Sequence, residues 1–437
     1  MPTVNVPSVA AIRGDLRVPS DKSLTHRALM LGAVSEGDVR VGDALDSGDT
    51  AATAAAVAAC GATVRGTLGA GDLVVTGRGL RGLEPPPVID CLNAGTLMRL
   101  LPGLLVGQRA DRVVLDGDDS LRGRPMRRIA RPLLAMGATI ATTPEGTAPL
   151  VVSGGAPLRG IEHRLEVASA QVKSCILLAG LFAEGETWVV EPVASRDHTE
   201  RLLEAAGVPL LRAPGAVGVR GPVEHLSLPD VRIPADFSSA APHLVAGALL
   251  GDPEVRLLEV NLNPGRTGLL AVLERMGVAV RVEPGADVAG EPCGTIAVAR
   301  TDRLVGTEVA PDEVPAMIDE LPLVGVLGAL AHGTTTVRGA GELRVKESDR
   351  IAAVVGALRS MGVRAEELDD GFRVHGDGRL PGGVMHAGGD HRFAMLGAVA
   401  GLASMDGVTV QGFEAVAVSY PRFMDDLATL GAVGSAA

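Results

Sequence analysis

An amphipathic helix pattern that ends in glycine and continues into a short β-branched run occurs six times along this chain of 437 residues. The copies are about 70 to 85 residues apart, and their glycines are Gly61, Gly137, Gly207, Gly277, Gly362 and Gly431. Glycine adopts the left-handed backbone conformation that stops a helix, so the pattern predicts a helix, a glycine C-cap and a strand. Six copies at a nearly constant period indicate a repeat architecture.

A second pattern interleaves with the first: an apolar helix rich in small residues, then a Gly or Asp turn and a strand. Its copies lie at 28–41, 98–115, 174–190, 241–258, 322–337 and 394–410. These helices are apolar nearly all round, so they should be buried. We expect an α/β fold of two pseudo-symmetric lobes, each with three repeats, in which the helices are buried and the sheets lie outside. An ordinary α/β protein with common glycine C-caps is the simpler alternative, but it does not explain six ordered pairs of patterns.

The charge and composition exclude several classes of partner. The net charge of −12 opposes non-specific binding to nucleic acid or to an anionic membrane, and aromatic residues make up only 2% of the chain. The four cysteines are far apart and form no CxxC pair, which fits a reducing compartment. Residues 1–17 lack the features of a signal peptide, and the apolar run near 321–332 is too short to span a bilayer. We expect a cytoplasmic protein without nucleic-acid or membrane partners.

Nucleotide and metal motifs are not supported either. Residues 77–82 match the pattern GxGxxG, but Pro85, Pro86 and Pro87 follow, and they prevent the helix that a dinucleotide site requires. The chain has no HExxH, no Walker loop and no clustered set of His and Cys. We therefore expect neither a metal site nor a dinucleotide site of this kind.

Several segments combine basic and hydroxyl residues beside a glycine or a helix start. They lie at 19–27, 93–99, 122–126, 169–174, 344–350 and 390–392. Backbone N–H groups at helix starts bind anions, and Lys or Arg side chains add charge. Each segment alone is typical of a helix cap with a solvated charge. Together, in an acidic protein, they indicate a cleft for a polyanionic small molecule.

Nine segments are similar to motifs of the 5-enolpyruvylshikimate-3-phosphate synthase family and occur in that family's order. They are DKSLTHRALML, LNAGTLMR, LRGRPMRR, SAQVKS, SRDHTERLL, DFSSAA, NPGRTGLL, ELRVKESDRI and DHRFAM. The resemblance extends from residue 19 to 423 and implies lobes of three βαβαββ units that close on substrate. With the repeat, it predicts one lobe of residues 1–17 plus 235–437 and a second lobe of residues 18–234, joined by two crossovers that act as a hinge. We expect a monomer.

The resemblance implies transfer of the enolpyruvyl group of phosphoenolpyruvate to the 5-hydroxyl of shikimate 3-phosphate, a step of the shikimate pathway to aromatic amino acids. No metal or organic cofactor is implied. The residues carried over for shikimate 3-phosphate are Lys22, Ser23, Arg27, Ser169, Ala170, Gln171, Arg196, Asp319 and Lys346. Those carried over for phosphoenolpyruvate are Lys22, Asn93, Gly95, Arg124, Gln171, Glu347, Arg350 and Arg392. Planar Arg side chains suit carboxylate and phosphate groups.

The implied chemistry needs a base for the 5-hydroxyl and an acid for C3 of phosphoenolpyruvate. We expect Asp319 to be the base and Glu347 or Lys22 to be the proton donor. The alternative for Glu347 is that it only orients Arg350.

The chain departs from the family pattern at two places. Val418 stands where some members have a lysine near phosphoenolpyruvate, and Leu100 stands where many have proline. Gly95 keeps the small residue that leaves room for the inhibitor glyphosate, so we expect at least partial inhibition.

Two alternatives remain open at this point. The first is the related enolpyruvyl transferase that acts on UDP-N-acetylglucosamine, although its Lys-Asn pair is replaced here by Lys22-Ser23 and its loop cysteine motif is absent. The second is an inactive protein that binds a phosphorylated metabolite, although Lys22, Asp319, Glu347 and Arg392 are intact.

Overall fold

The computed structural model describes residues 2–432, which form 13 α-helices, three short 3₁₀ helices and 23 strands. The α-helices are α1 (Lys22–Ala33), α2 (Gly48–Ala59), α3 (Gly95–Leu105), α4 (Asp119–Arg122), α5 (Arg127–Ala135), α6 (Ala170–Gly180), α7 (His198–Ala205), α8 (Phe237–Leu250), α9 (Gly268–Arg275), α10 (Leu321–Leu330), α11 (Arg350–Ser360), α12 (His391–Ala403) and α13 (Phe423–Thr429). The 3₁₀ helices are Val314–Ala316, Gly341–Val345 and Phe413–Val418. None of the helices between residues 2 and 432 has both the length and the apolar character needed to cross a membrane.

The strands are short and most have three to six residues. In chain order they are β1 (Thr3–Val6), β2 (Ile12–Leu16), β3 (Asp38–Gly42), β4 (Thr63–Arg65), β5 (Leu73–Thr76), β6 (Val88–Asp90), β7 (Val113–Asp116), β8 (Thr139–Ala141), β9 (Leu150–Ser153), β10 (Glu162–Arg164), β11 (Gly185–Val190), β12 (Leu210–Ala213), β13 (Ala216–Gly221), β14 (Val231–Arg232), β15 (Gly251–Asn261), β16 (Val280–Pro284), β17 (Cys293–Val298), β18 (Glu308–Val309), β19 (His332–Val337), β20 (Arg364–Leu368), β21 (Gly371–Asp377), β22 (Gly383–His386) and β23 (Val408–Gln411).

The sheets share one topology. In one of them β6 lies parallel to β7, β9 is antiparallel to β7, and β8 is antiparallel to β9. With α3 after β6 and α5 after β7, this is a βαβαββ unit. Four more sheets have the same arrangement, in the orders β10-β11-β13-β12, β14-β3-β5-β4, β2-β15-β17-β16 and β18-β19-β21-β20. The sixth sheet, β22-β23-β1, has three strands among residues 2–432. The six sheets confirm the predicted six-fold repeat.

Three of the sheets are completed by a strand from a distant part of the chain. β14 pairs in parallel with β3, and β2 pairs in parallel with β15. β1 is antiparallel to β23, with Thr3 opposite Gln411 and Val6 opposite Val408. In these repeats one strand of the sheet therefore comes from a part of the chain far away in sequence.

The chain divides into two units. The first unit contains the residues up to Pro19, Ala235–Ala286 and the residues from Pro292 onward, and the second contains Ser20–Pro234 with Asp287–Glu291. The short segment Asp287–Glu291 lies within the predicted lobe of residues 235–437 but clusters with the second unit, where Glu291 Oε1 lies 2.7 Å from His198 Nδ1. Residue 1 and residues 433–437 of the predicted lobe lie outside the described residues.

Each unit has its own hydrophobic core, built around three apolar helices. In the second unit these are α1, α3 and α6, and in the first unit α8, α10 and α12. Most residues of all six helices are buried, as their all-round apolar sequence predicted.

The other helix of each repeat ends at the predicted glycine. These six glycines all have a left-handed φ of 83° to 97°. The residue after each glycine donates its N–H to a carbonyl of the last helical turn, as in the bond from Val208 N–H to Leu203 O of 2.9 Å. This is the Schellman geometry, which a left-handed residue makes possible.

Gly207 tests whether this backbone conformation limits the choice of residue. No atom lies within 4 Å of a Cβ added there, so Gly207→Ala introduces backbone strain alone. We expect the free energy of unfolding to fall by about 1–2 kcal/mol, measured by urea denaturation. Gly356 in α11 is the matched control, because it is exposed, helical and equally uncrowded. Gly356→Ala should raise the free energy by about 0.5–1 kcal/mol. Equal stability of Gly207→Ala and wild type would contradict the prediction.

Candidate active site

The three buried helices of the second unit reach the surface only at their N-terminal turns. The residues that are not buried are Lys22 and Ser23 in α1, Thr96 in α3 and Gln171 in α6. The first N–H groups of a helix have no intrahelical acceptor and attract anions. Seven predicted substrate residues lie in these turns or just before them: Lys22, Ser23, Asn93, Gly95, Ser169, Ala170 and Gln171.

The start of α1 fixes Lys22. Asp21 caps the helix, since its Oδ1 accepts the Leu24 N–H at 2.9 Å. The next residue, Lys22, places its Nζ 2.9 Å from Oδ2 of Asp49 in the first turn of α2. Burial would raise the pKa of the Asp49 carboxyl, but the charge and hydrogen bond of Lys22, with smaller effects of His26 and Arg124, lower it below its usual value. Asp49 thus holds the Lys22 ammonium near the N-terminal turns.

Asn93 and Arg124 are connected before α3. Arg124 Nη2 donates to Asn93 Oδ1 at 3.0 Å, and Asn93 Nδ2 donates to Asp118 Oδ2 at 2.8 Å. The preceding residue, Leu92, has a φ of 50°, and its carbonyl accepts the Asp118 N–H at 2.8 Å. A left-handed leucine is uncommon, and Asp118 holds both it and Asn93 in place.

Gln171 connects α6 to α3. Its Oε1 accepts a hydrogen bond from Arg99 Nη1 at 2.8 Å, and its Nε2 donates to Thr96 Oγ1 at 3.1 Å. A Cβ added to Gly95, the first residue of α3, would lie 3.1 Å from Arg124 Nη1 and 3.4 Å from Arg99 Nη1. Gly95 therefore allows two guanidinium groups to approach the helix backbone closely.

Arg27 lies in α1, one turn after Ser23, and is almost fully buried. Its Nε donates to Thr199 Oγ1 at 2.7 Å, its Nη2 donates to Ser174 Oγ at 3.0 Å, and its Nη1 donates to Ser23 O at 2.9 Å. Burial and, secondly, the charge of Arg196 lower the pKa of Arg27 to about 10. The electrostatic effect places Arg196 near Arg27. Ser169 caps α6 by accepting the Val172 N–H at 3.4 Å.

The predicted residues of the first unit meet at Arg350, which begins α11 and is 1% exposed. Its guanidinium contacts three carboxylates: Asp390 Oδ2 at 2.8 Å, Glu347 Oε2 at 2.8 Å and Asp319 Oδ1 at 3.2 Å. Burial acts to lower the pKa of Arg350, but the carboxylates outweigh it and raise this pKa. Arg350 remains a cation held in a fixed orientation.

Lys346 and Arg392 complete this cluster. Lys346 Nζ lies 3.4 Å from Asp319 Oδ1. Arg392 Nη1 donates to the Ser238 carbonyl at 2.9 Å, and its N–H donates to Asp390 Oδ1 at 2.9 Å. Asp390 is fully buried and caps α12.

The residues that hold several of these side chains were not predicted from the sequence. Asp49, Asp118, Arg99 and Asp390 are each separated by at least 25 residues from the group that they contact in the site. Asp118, in the acidic run at 116–119, caps α4 and holds Asn93. Aspartate is a favoured helix N-cap residue, so the sequence could have predicted that Asp118 caps α4.

Among residues 2–432, no group of three or more His, Cys, Asp or Glu side chains is arranged to hold a metal ion. The four cysteines, which lie in the described part, are buried, and burial raises the pKa of Cys60 to about 11.

The sequence and the structure were compared with known proteins, and the matches carry the same family name. The family model described as EPSP synthase (3-phosphoshikimate 1-carboxyvinyltransferase) matches residues 6–427. A 3-phosphoshikimate 1-carboxyvinyltransferase of Xanthomonas oryzae pv. oryzae is 48% identical over 414 residues, which cover 94% of this chain and 93% of the relative. One of Xanthomonas campestris pv. campestris is 47% identical over 419 residues, covering 96% and 94%.

Solved structures agree with the sequence relatives. EPSP synthase from Acinetobacter baumannii has a TM-score of 0.87 and 40% identity, and the match covers 98% of both chains. The enolpyruvyl transferase NikO from Streptomyces tendae has a TM-score of 0.76 at 21% identity, with 98% of this chain and 97% of the other covered, and shows a shared fold. Together with the six βαβαββ repeats and the basic helix starts, these matches show that the chain belongs to the EPSP synthase (3-phosphoshikimate 1-carboxyvinyltransferase) family.

Proposed function

We propose that the two clusters described above serve enolpyruvyl transfer from phosphoenolpyruvate to the 5-hydroxyl of shikimate 3-phosphate. The transfer itself is the activity of the family to which the chain belongs. The observation that carries the assignment is the convergence of Lys22, Asn93, Arg124 and Gln171 at the N-terminal turns of three otherwise buried helices. In a chain of net charge −12, such a cluster selects anions locally rather than through a general field.

Shikimate 3-phosphate is assigned to Lys22, Ser23, Arg27, Ser169, Ala170, Gln171 and Arg196 in the second unit. Ser169 and the first N–H groups of α6 suit the phosphate, since a helix start offers unpaired donors. Asp319 and Lys346 of the first unit are assigned to its ring hydroxyls. Their side chains contact each other, which keeps an acceptor beside a donor.

Phosphoenolpyruvate is assigned to Lys22, Asn93, Gly95, Arg124 and Gln171 in the second unit and to Glu347, Arg350 and Arg392 in the first. Arg124 is oriented by Asn93, and Arg350 by three carboxylates. Fixed guanidinium groups match the planar carboxylate and the phosphate of this substrate without further ordering.

The reaction requires two proton transfers before phosphate leaves. Asp319 takes the proton of the 5-hydroxyl while the hydroxyl oxygen bonds to C2 of phosphoenolpyruvate. The proton donor adds a proton to C3 of phosphoenolpyruvate. The tetrahedral intermediate then loses a C3 proton and expels phosphate, which restores the double bond. Lys22 as an ammonium carries a proton to donate, whereas the Glu347 carboxylate is paired with Arg350 and must first be protonated. We therefore favour Lys22 as the donor, with Glu347 orienting Arg350. Solvent-deuterium incorporation at C3 that stops in Glu347→Gln would instead assign the donor role to Glu347.

A phosphate-release assay tests the whole assignment. Purified protein with shikimate 3-phosphate and phosphoenolpyruvate should release phosphate, whereas UDP-N-acetylglucosamine as the acceptor should give none. Release with the second acceptor alone would assign the chain to the related transferase. No release with either would indicate an inactive binding protein.

Gly95 supports a prediction about inhibition by glyphosate. We expect wild type to be at least partially inhibited, in competition with phosphoenolpyruvate. Gly95→Ala places a methyl group 3.1 Å from Arg124 Nη1, so this guanidinium must shift by a few tenths of an ångström from the position assigned to bind the anion. The inhibition constant should therefore rise by about tenfold or more, while the melting temperature stays close to wild type because the crowded atoms end flexible side chains. The constant is measured at several phosphoenolpyruvate concentrations, with Gly356→Ala as the control. An uninhibited wild type, or equal inhibition of Gly95→Ala, would refute the prediction.

We also propose that the two units are the predicted lobes, and that the protein acts as a monomer in the cytoplasm. Burial of all four cysteines, with no CxxC pair among them, supports a reducing compartment such as the cytoplasm. Light scattering after gel filtration tests the monomer: a mass near 44.5 kDa is expected, and a mass near twice that value would overturn it.

A further inference from the structure

A buried ionic network that the mechanism does not use lies behind the residues assigned to shikimate 3-phosphate. Its centre is Lys173 in α6, whose side chain is 2% exposed. Lys173 Nζ lies 2.7 Å from Glu191 Oε2 and 2.7 Å from Glu200 Oε1, and it donates to the Ser195 carbonyl at 3.3 Å. One buried ammonium therefore contacts three points of the segment 191–200.

These three points lie on either side of Arg196 in the sequence. Glu191 directly follows β11, Ser195 directly precedes Arg196, and Glu200 lies in the first turn of α7. The Ser195 hydroxyl also donates to Glu191, so the loop is bound to the carboxylate that Lys173 holds. The path of the backbone up to Arg196 is thus fixed from inside the unit.

The same segment supports Arg27. Thr199, next to Glu200, accepts the hydrogen bond of Arg27 Nε and donates to Ser174 Oγ at 2.7 Å. Ser174 is the neighbour of Lys173 on α6 and accepts from Arg27 Nη2. Lys173 therefore anchors the segment that carries one arginine and holds the other.

Electrostatic effects connect the network to Arg27. Burial lowers the pKa of Lys173, but Glu200 and Glu191 outweigh it and raise this pKa, so the ammonium persists. The charges of Arg27 and Arg196 repel each other, and Glu200 offsets part of that repulsion at Arg27. Glu200 thus acts on Arg27 as well as on Lys173, although burial raises the pKa of its own carboxyl.

We propose that Lys173 is a positioning residue for shikimate 3-phosphate. It holds the segment 191–200 so that Arg196 and Arg27 are in place before this substrate binds. The proposal rests on the assignment of these two arginines to shikimate 3-phosphate. Loss of Lys173 should weaken binding of this substrate and leave phosphoenolpyruvate and the chemical step largely unaffected.

Three variants test the proposal by steady-state kinetics with both substrates, each checked for folding by circular dichroism and thermal melting. Lys173→Met removes the anchor. Lys173→Met/Glu200→Gln removes the anchor and keeps the net charge of the network, so the Glu200 charge is no longer left unpaired in it. Ser195→Ala removes only the hydroxyl that binds the loop to Glu191 and changes no charge.

We expect the first two variants to raise the KM for shikimate 3-phosphate by about tenfold or more, which corresponds to about 1.4 kcal/mol. Ser195→Ala should raise it about threefold, while the KM for phosphoenolpyruvate and kcat stay within about twofold in all three. Ser35→Ala is the matched control: Ser35 is buried and accepts the Leu228 N–H at 3.1 Å, so its loss should lower the melting temperature without changing either KM.

Two outcomes would overturn the proposal. One is an unchanged KM for shikimate 3-phosphate in the folded variants, and Ser195→Ala alone decides if both Lys173 variants fail to fold. The other is a parallel rise in both KM values, which a general loss of structure would produce. Absence of turnover in wild type would instead refute the proposed function, so the two failures are distinguishable.

Discussion

Asp319→Asn should leave substrate binding nearly intact and lower kcat by about a thousandfold. A general base contributes about 10²–10⁴ to a rate, and asparagine has the same shape but cannot take the proton of the 5-hydroxyl. The cluster should survive, because Arg350 retains its hydrogen bonds to Glu347 and Asp390 when the Asp319 charge is removed.

The measurement combines turnover with binding. Phosphate release gives kcat, and isothermal titration with shikimate 3-phosphate gives the dissociation constant. Asp369→Asn, an exposed aspartate of the same unit, is the control and should match wild type in both. A kcat for Asp319→Asn close to wild type would remove Asp319 as the base.

Arg350→Met should cause the largest loss of stability, about 3–5 kcal/mol of unfolding free energy, because removing one partner of a buried ion pair leaves the other charge uncompensated. The charge left behind is Asp390, which is fully buried and accepts two hydrogen bonds from the guanidinium. Glu347 is more exposed, with 28% of its side chain accessible, and can be rehydrated.

Urea denaturation with two comparison variants isolates the cause. Arg350→Met/Asp390→Asn removes the stranded charge and should recover much of the loss, since asparagine also caps a helix well. Arg344→Met is the matched control: Arg344 pairs with Asp349 and Glu367, both at 2.8 Å, but it is more exposed and should cost about 0–1 kcal/mol. A loss in Arg350→Met no larger than that in Arg344→Met would contradict this account.

Local signals made the repeat predictable from the sequence. A glycine C-cap depends on residues that are contiguous in the chain, so Gly61 and its five equivalents identify helix ends without knowledge of the fold. Likewise, an all-round apolar helix such as α10 must be buried whatever surrounds it. The starts of α1, α3 and α6 could be found for the same reason.

The remaining features depend on contacts over long separations. Lys22 and Asp49 are 27 residues apart and Arg350 and Asp390 are 40 apart, so no periodicity relates them. The strands β14 and β18 have two residues each, too few for an alternating pattern. β2 and β15 are more than 200 residues apart in the chain, so no local pattern predicts that they pair.

Because β1 pairs with β23, its sheet cannot be completed until nearly the whole chain has been synthesised. β1 leaves the ribosome roughly 400 residues before its partner, whereas α1, α3 and α6 and their sheets are complete once Arg232 has emerged. At about 5–20 residues per second, the wait lasts about 20–80 s. During that time the hydrogen-bonding edge of β1 is open to other chains, a hazard that grows with strand length. With only four residues, Thr3–Val6 offers little template for aggregation while the rest of its sheet is still being made.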